Sequence, residues 1–333
     1  MKAHEAAGRL FFWGFDGTKV TKEHRALLKK YRPAGVILFR RNLESMRQMR
    51  ELTRDLKKAG GPGLLIGIDE EGGRVSRLPP GGIKFPPALF WGRFYEREGD
   101  LKVIEHFGRV LGLELCSLGV NTNFAPVLDV NSNPKNPIIG DRAFSEKPKT
   151  AGRVALAFQR GLAKEGIVTC GKHFPGHGDT ATDSHLTLPR VTRSRTILER
   201  VELVPFQMAV SARVPLFMTA HVVYDALDPK RPATLSAKIL QDLLRTKMKY
   251  RGVVISDDLQ MKAISKKYSE EEASLLALEA GCDLLLICEG MGKIGRNVME
   301  GVAREVSKSV FLQKRLFESL KRVHNLLPLM TSI

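Results

Sequence analysis

Residues 34–71 decide the fold: AGVILFRRNLESMRQMRELTRDLKKAGGPGLLIGIDEE. The stretch opens on a short apolar run (34–40) and passes through leucines and methionines at helical spacing (43–60). It breaks at a Gly/Pro cluster and returns to a second apolar run (64–70). Continuous apolar runs, as opposed to alternating ones, mark strands buried on both faces. Strand, helix and strand in that order predict a parallel βαβ unit. The second run stops on three acids, Asp69, Glu70 and Glu71.

The unit recurs. Apolar runs lie at 10–17, 34–40, 64–70, 121–130, 167–174, 215–224, 252–258 and 282–290, separated by helix-period segments such as TILERVELVPFQMAVSA. Thr21 and Ser236 stand where helix N-caps belong, and Gly60, Gly119, Gly166 and Gly281 fall where a left-handed C-cap suits glycine. Eight such units in 333 residues predict an α/β fold, a single (β/α)8 TIM-type barrel. An open doubly wound sheet is the alternative, weakened by the lack of a Gly-rich dinucleotide fingerprint after the first strand. No Pro/Gly/Ser linker divides the chain. One domain is therefore expected over 1–333, with a core at 10–305 and an extra amphipathic C-terminal helix at 306–327.

Composition narrows the function. A hydrophobic fraction of 43% suffices for a large core. No run of eighteen apolar residues appears, so no membrane span is expected. The N-terminal MKAHEAAGRLFFWGFDG lacks the long apolar centre and cleavage site of a signal peptide. Cys116, Cys170, Cys282 and Cys288 match no zinc or redox spacing, which favours reduced thiols and a cytoplasmic location. The net charge of +17 admits nucleic-acid binding. Yet Lys and Arg are spread along the chain at helical spacing, without aromatic-interleaved or zinc-finger patterns. A solvated basic exterior is expected instead, with no nucleic-acid partner.

Barrel chemistry gathers where strands end. Asp69, Glu70 and Glu71 end the third run, Asp129 the fourth and Lys172 with His173 the fifth. His221 lies late in the sixth, and Asp257 with Asp258 ends the seventh. Strand neighbours point to opposite faces, so one of Asp257 and Asp258 can enter the barrel mouth while the other caps a helix or faces a neighbour. A carboxylate in the mouth suits a nucleophile or a general base.

The segment GKHFPGHGDTATDSHLTLP (171–189) crowds three histidines. His173 and His177 have the i, i+4 spacing of a zinc pair, but Pro175 and Gly176 between them oppose a helix and no glutamate stands beside the first. No metal is expected. Asp183 and His185 form a better pair. In extended chain, i and i+2 share a side, so the carboxylate can orient one ring nitrogen while the other moves a proton. An ordinary solvated loop is the competing reading.

The strings IDEEGGRVSRL, FAPVLDVNSNPKNPIIGDRAFS, GKHFPGHGDTATDSH and VVISDDLQM, in that order, resemble family 3 of the glycoside hydrolases, and within it the β-N-acetylhexosaminidases. The resemblance covers about residues 10 to 290. It implies a (β/α)8 domain that removes terminal β-linked N-acetylglucosamine with retention, and implies no cofactor. Asp257 matches the family nucleophile, His185 the acid/base and Asp183 its dyad partner. Asp69, Arg77, Arg142, Lys172 and His173 match residues that hold sugar hydroxyls. His177 is left a structural role, and Glu70, Glu71, Asp129 and His221 supporting ones. The expected partner is an N-acetylglucosamine-containing saccharide or muropeptide met in cell-wall recycling, and a monomer is favoured. The alternatives are a phosphorylase and a non-catalytic basic binding protein.

Overall fold

The computed structural model describes residues 3–180 and 188–329. Each of the eight apolar runs yields a barrel strand: β1 (Phe11–Trp13), β2 (Gly35–Leu38), β3 (Leu65–Ile68), β4 (Thr122–Asn123), β5 (Val168–Phe174), β6 (Leu216–Thr219), β7 (Val253–Ile255) and β8 (Leu285–Ile287). All pairings among them are parallel, in the cyclic order β8-β1-β2-β3-β4-β5-β6-β7. A bridge from Ile255 to Leu284 joins β7 to β8 and closes the ring. The strands are shorter than the apolar runs that announced them. The sixth run divides, with Leu216–Thr219 in the barrel and Val223–Tyr224 pairing with Arg190–Val191 in a separate two-strand ribbon.

Alternation along each strand sorts side chains between two cores. Phe12, Ile37, Leu65, Phe124, Val168, Cys170, Leu216, Met218, Val253, Ile255 and Leu286 fill the barrel interior. Phe11, Trp13, Val36, Leu38, Ile66, Ile68, Phe217, Val254 and Leu285 face the surrounding helices. Gly67 makes room inside: a Cβ there would sit 2.8 Å from the Phe124 ring and 2.9 Å from that of Phe12.

The opening segment behaves as its sequence predicts. Ser45 caps the helix Met46–Gly60 by accepting from the Gln48 N–H at 3.2 Å, and Met49, Leu52 and Leu56 are buried on one face. Gly60 is the last helical residue, and the left-handed turn falls one place later, at Gly61 (φ 91°). Gly119, Gly166 and Gly281 do take positive φ. The segment after Arg190 forms two helices, Arg195–Arg200 and Leu203–Ser211. Pro205 lacks an N–H and fits only a first helical turn, so a new helix starts before it.

The C-terminal helix runs Val310–His324, starting later and ending earlier than the expected 306–327. Residues to Lys308 complete the preceding helix, and the Ser309 hydroxyl accepts from the Leu312 N–H to begin anew. This helix seals the N-terminal end of the barrel, where Leu326 joins the interior cluster. Buried Asp283 locks it there. Asp283 pairs with Arg322 at 2.9 Å and Arg245 at 2.6 Å, and accepts from Ser319 at 3.0 Å and the Val254 N–H at 2.9 Å. No described helix is long and apolar enough to cross a membrane.

Candidate active site

The carboxyl ends of the strands surround a cavity of about 650 Å³, with Ile37, Met218 and Leu286 in its apolar part. Asp69, Arg77, Arg142, Lys172, His173 and Asp257 all line it. The end of β5 and the segments after β3, β4 and β7 thus converge on one space. Asp183 and His185 lie outside the described residues.

The acid run after β3 follows the pleat. Asp69 and Glu71 turn to the cavity, and Glu70 turns away. The Lys172 ammonium bridges Asp69 (2.7 Å) and Glu71 (2.6 Å), and the Arg142 guanidinium grips Glu71 through two contacts of 2.8 Å. Burial alone would raise the Glu71 carboxyl, but the charges of Arg142 and Lys172 overcome it and hold it far below the usual range. Burial likewise disfavours both cations, yet Glu71 raises the pKa of Arg142, and Asp69 with Glu71 raises that of Lys172. Two cations and two anions make the cluster neutral overall. It is a rigid array of donors and acceptors suited to an uncharged polyhydroxyl ligand.

Glu70 works behind the cavity. One oxygen accepts from Ser76 Oγ (3.0 Å) and the N–H groups of Arg77 (2.8 Å) and Leu78 (3.2 Å), fixing the loop that presents Arg77. Burial pushes its carboxyl up to about 7.

Asp129 is fully buried beneath the end of β5. Its Oδ1 accepts from the N–H groups of His173 (3.1 Å) and His177 (2.7 Å), and its Oδ2 meets His173 Nδ1 at 2.7 Å. His177 Nδ1 also meets Thr180 Oγ1 at 2.9 Å. Burial lowers the His177 imidazole to about 4, so it is neutral near pH 7. His177 thereby ties the turn at 177–180 to Asp129.

Both acids after β7 line the cavity, where alternation had placed only one; the Asp257 Oδ1 accepts from the Asp258 N–H at 2.8 Å. Asp258 accepts from the N–H groups of Gln260 and Cys288, both at 3.2 Å, tying β7 to β8. Burial pushes the Asp258 carboxyl up to about 6. His221 sits behind, between Thr234 Oγ1 (2.7 Å) and the Asp258 carbonyl (2.9 Å).

Sequence reasoning missed three side chains. Arg74 reaches Asp141 and the carbonyls of Ile138 and Ile139, bracing the loop that carries Arg142. Arg41 lines the cavity and holds the carbonyls of Phe15 and Cys288. Buried Asn136 staples two loops: its amide donates to the carbonyls of His177 (2.8 Å) and Gly178 (2.9 Å), while its oxygen accepts from the N–H groups of Ile138 and Ile139. The Asn-rich composition of NSNPKNPII was the only signal available, because asparagine suits such turns.

Fold and cavity together define a (β/α)8-barrel enzyme with its polar machinery at the carboxyl ends of the strands. Residues 4–326 match the glycosyl hydrolase family 3 N terminal domain. A beta-hexosaminidase of Alkalilimnicola ehrlichii is 42% identical over 277 residues, spanning 83% of this chain and 79% of that protein. A solved family 3 beta-N-acetylglucosaminidase from Paenibacillus sp. superposes with a TM-score of 0.92 at 36% identity; the match covers 99% of this chain and 63% of that one. NagZ from Neisseria gonorrhoeae, in complex with N-trifluoroacetyl-D-glucosamine, gives a TM-score of 0.81 at 34% identity, over 93% of this chain and 89% of that one. The chain belongs to glycosyl hydrolase family 3, a family of glycoside hydrolases.

Proposed function

We propose that this chain is a retaining, exo-acting β-N-acetylglucosaminidase. The observation that carries the reading is the gathering of Asp257 with Asp69, Arg77, Arg142, Lys172 and His173 around one cavity of about 650 Å³. A beta-hexosaminidase relative and a NagZ structure holding an N-acylated glucosamine support the same substrate class.

In the first step an Asp257 oxygen attacks the anomeric carbon as the glycosidic C–O bond breaks. The His185 imidazolium gives its proton to the departing oxygen. In the second step neutral His185 takes a proton from water, the hydroxyl oxygen attacks the anomeric carbon, and the aspartyl ester bond breaks to free Asp257. Two inversions give net retention. Asp183 orients the His185 ring and stabilises its charged form. Asp69, Arg77, Arg142, Lys172 and His173 hold the sugar hydroxyls.

Most glycosidases use a second carboxyl where this one uses histidine. A carboxylic acid needs a raised pKa to stay protonated near neutrality, whereas histidine titrates there already. A neutral imidazole also repels an anionic aglycone less than a carboxylate does. That favours muropeptides, whose N-acetylmuramyl unit carries a carboxylate, and a place in cell-wall recycling. Four free thiols fit a cytoplasmic location.

Turnover of a chromogenic β-N-acetylglucosaminide tests the reading. Asp257→Ala is expected to abolish it. His185→Ala is expected to lose less with an activated leaving group, which needs little protonation. In phosphate buffer the product is free N-acetylglucosamine; sugar 1-phosphate would make the enzyme a phosphorylase. Full activity of Asp257→Ala sinks the assignment.

A further inference from the structure

The rim cavity holds Lys172 and Arg142 in ion pairs. The opposite, N-terminal end of the barrel holds its cations differently. A groove of about 790 Å³ runs there between the loops that lead into β1, β2 and β3 and the helix Val310–His324. Arg9, Lys29, Arg32, Lys58, Lys321 and His324 line it, all exposed, and no aspartate or glutamate does. Among the described residues none of the six makes an ion pair. Five full positive charges and a histidine around one groove repel one another, and an anionic occupant relieves that repulsion.

The groove also has apolar walls, including Leu28, Leu64, Leu320 and Leu327. The adjoining helix extends this mixed character outward. At 100° per residue, Val310, Lys314, Phe317, Lys321 and His324 fall on one stripe about 80° wide. All five are exposed, Val310 by 82% and Phe317 by 72%. Exposed apolar side chains set between lysines characterise a helix that lies in a membrane interface, with the ring at the acyl boundary and the ammonium groups among phosphates.

We propose that the N-terminal end of the barrel is a docking face for an anionic lipid surface. Headgroup phosphates enter the groove between Arg9, Arg32 and Lys58, and Phe317 inserts beside them. The exposed apolar surface selects lipid over nucleic acid, because a phosphate backbone gives Val310 and Phe317 nothing to bury against. Docking in this pose leaves the rim cavity, at the other end of the barrel, open to solvent.

Co-sedimentation of the full chain with lipid vesicles tests this. Vesicles of phosphatidylcholine with phosphatidylglycerol are compared with phosphatidylcholine alone, at low salt and at about 0.5 M salt, where charges are screened within a few Å. Wild type is expected to sediment with the anionic vesicles only, and to be released by salt. Lys58→Glu with Lys321→Glu is expected to weaken binding at least about tenfold, since each cation at such a surface contributes appreciably. Phe317→Ser is expected to weaken it severalfold at unchanged charge. Turnover of a chromogenic glycoside, unchanged in these variants, verifies that they fold. The proposal fails if anionic vesicles do not sediment the protein at low salt, or if neutral vesicles do so equally. It also fails if Phe317→Ser binds as wild type while short RNA displaces the vesicles, which would identify a polyanion site.

Discussion

Replacing Asp129 with alanine removes three contacts from beneath the candidate site at once. The carboxylate is fully buried and holds the His173 N–H, the His177 N–H and His173 Nδ1 at 3.1, 2.7 and 2.7 Å. A hydrogen bond to a charged group contributes about 1.5–3 kcal/mol, and a buried donor left without a partner costs about 1–3 kcal/mol. Contacts that share one carboxylate do not add in full. Asp129→Ala is therefore expected to destabilise the fold by about 3–5 kcal/mol. Asp129→Asn keeps an oxygen for the two backbone N–H groups and loses the charge-assisted contact to His173, at about 1.5–3 kcal/mol. Urea unfolding with an unchanged m-value measures the first quantity. The second readout is kcat/KM for a chromogenic β-N-acetylglucosaminide, expected to fall at least about tenfold in the Asn variant as the His173 ring loses its orientation. The acid limb supplies a third. Burial opposes ionisation of Asp129, but the charge of His173 and its hydrogen bond hold the carboxyl below its usual range. A depressed carboxylate contributes stability above its unfolded value of about 3.9 and loses it as pH falls through the folded value. The Asn variant is therefore expected to lose less stability than wild type below about pH 4. An Ala variant within about 1 kcal/mol of wild type and with unchanged kcat/KM would refute the clamp.

Other perturbations separate stability from chemistry. Asp283→Ala strands Arg245 and Arg322 at the sealed end of the barrel and is expected to cost about 3–5 kcal/mol in urea unfolding. Its kcat/KM should stay at the wild-type value while folded, because the rim is untouched. Buried Glu202 bonds Ser132 Oγ at 2.7 Å, and burial pushes its carboxyl up to about 7. The folded state thus holds a proton that the unfolded state releases near its value of about 4.3, so this stability is lost as pH rises from about 4 to 7. In Glu202→Gln the fall of Tm across that window should flatten, by the equivalent of about 2–3 kcal/mol. An unaltered Tm profile would show that Glu202 is ionised in the fold. Gly67→Ala drives a methyl group against the Phe12 and Phe124 rings inside the barrel and should lower stability by about 1–3 kcal/mol, read as a shift in the urea midpoint.

The strand runs were legible because a two-sided buried strand needs an unbroken apolar string, which is a property of neighbouring residues. Their lengths were not, since pairing stops where a partner strand bends away. The run at 215–224 shows this: its last residues leave the barrel and pair with Arg190–Val191. The acids of IDEE were legible as a cluster, and the pleat then sorted Asp69 and Glu71 from Glu70. Asn136 and Arg74 were not legible, because most of their partners are backbone groups of loops whose paths no local pattern specifies. Asp183 and His185, read as a pair from the DSH string, lie outside the described residues.

The sequence by itself determined the barrel and which strand ends carry charge. Burial periodicity and helix caps operate over a few neighbouring residues, so they can be read along the chain. Only the tertiary structure decided which charges meet. It made Glu71, read beforehand as a supporting residue, the shared anion of Arg142 and Lys172, and it joined Asp69 to Lys172 across 103 positions. Ion pairs and hydrogen bonds depend on separations of about 3 Å through space, and sequence order carries no record of that distance until the ring of strands has closed.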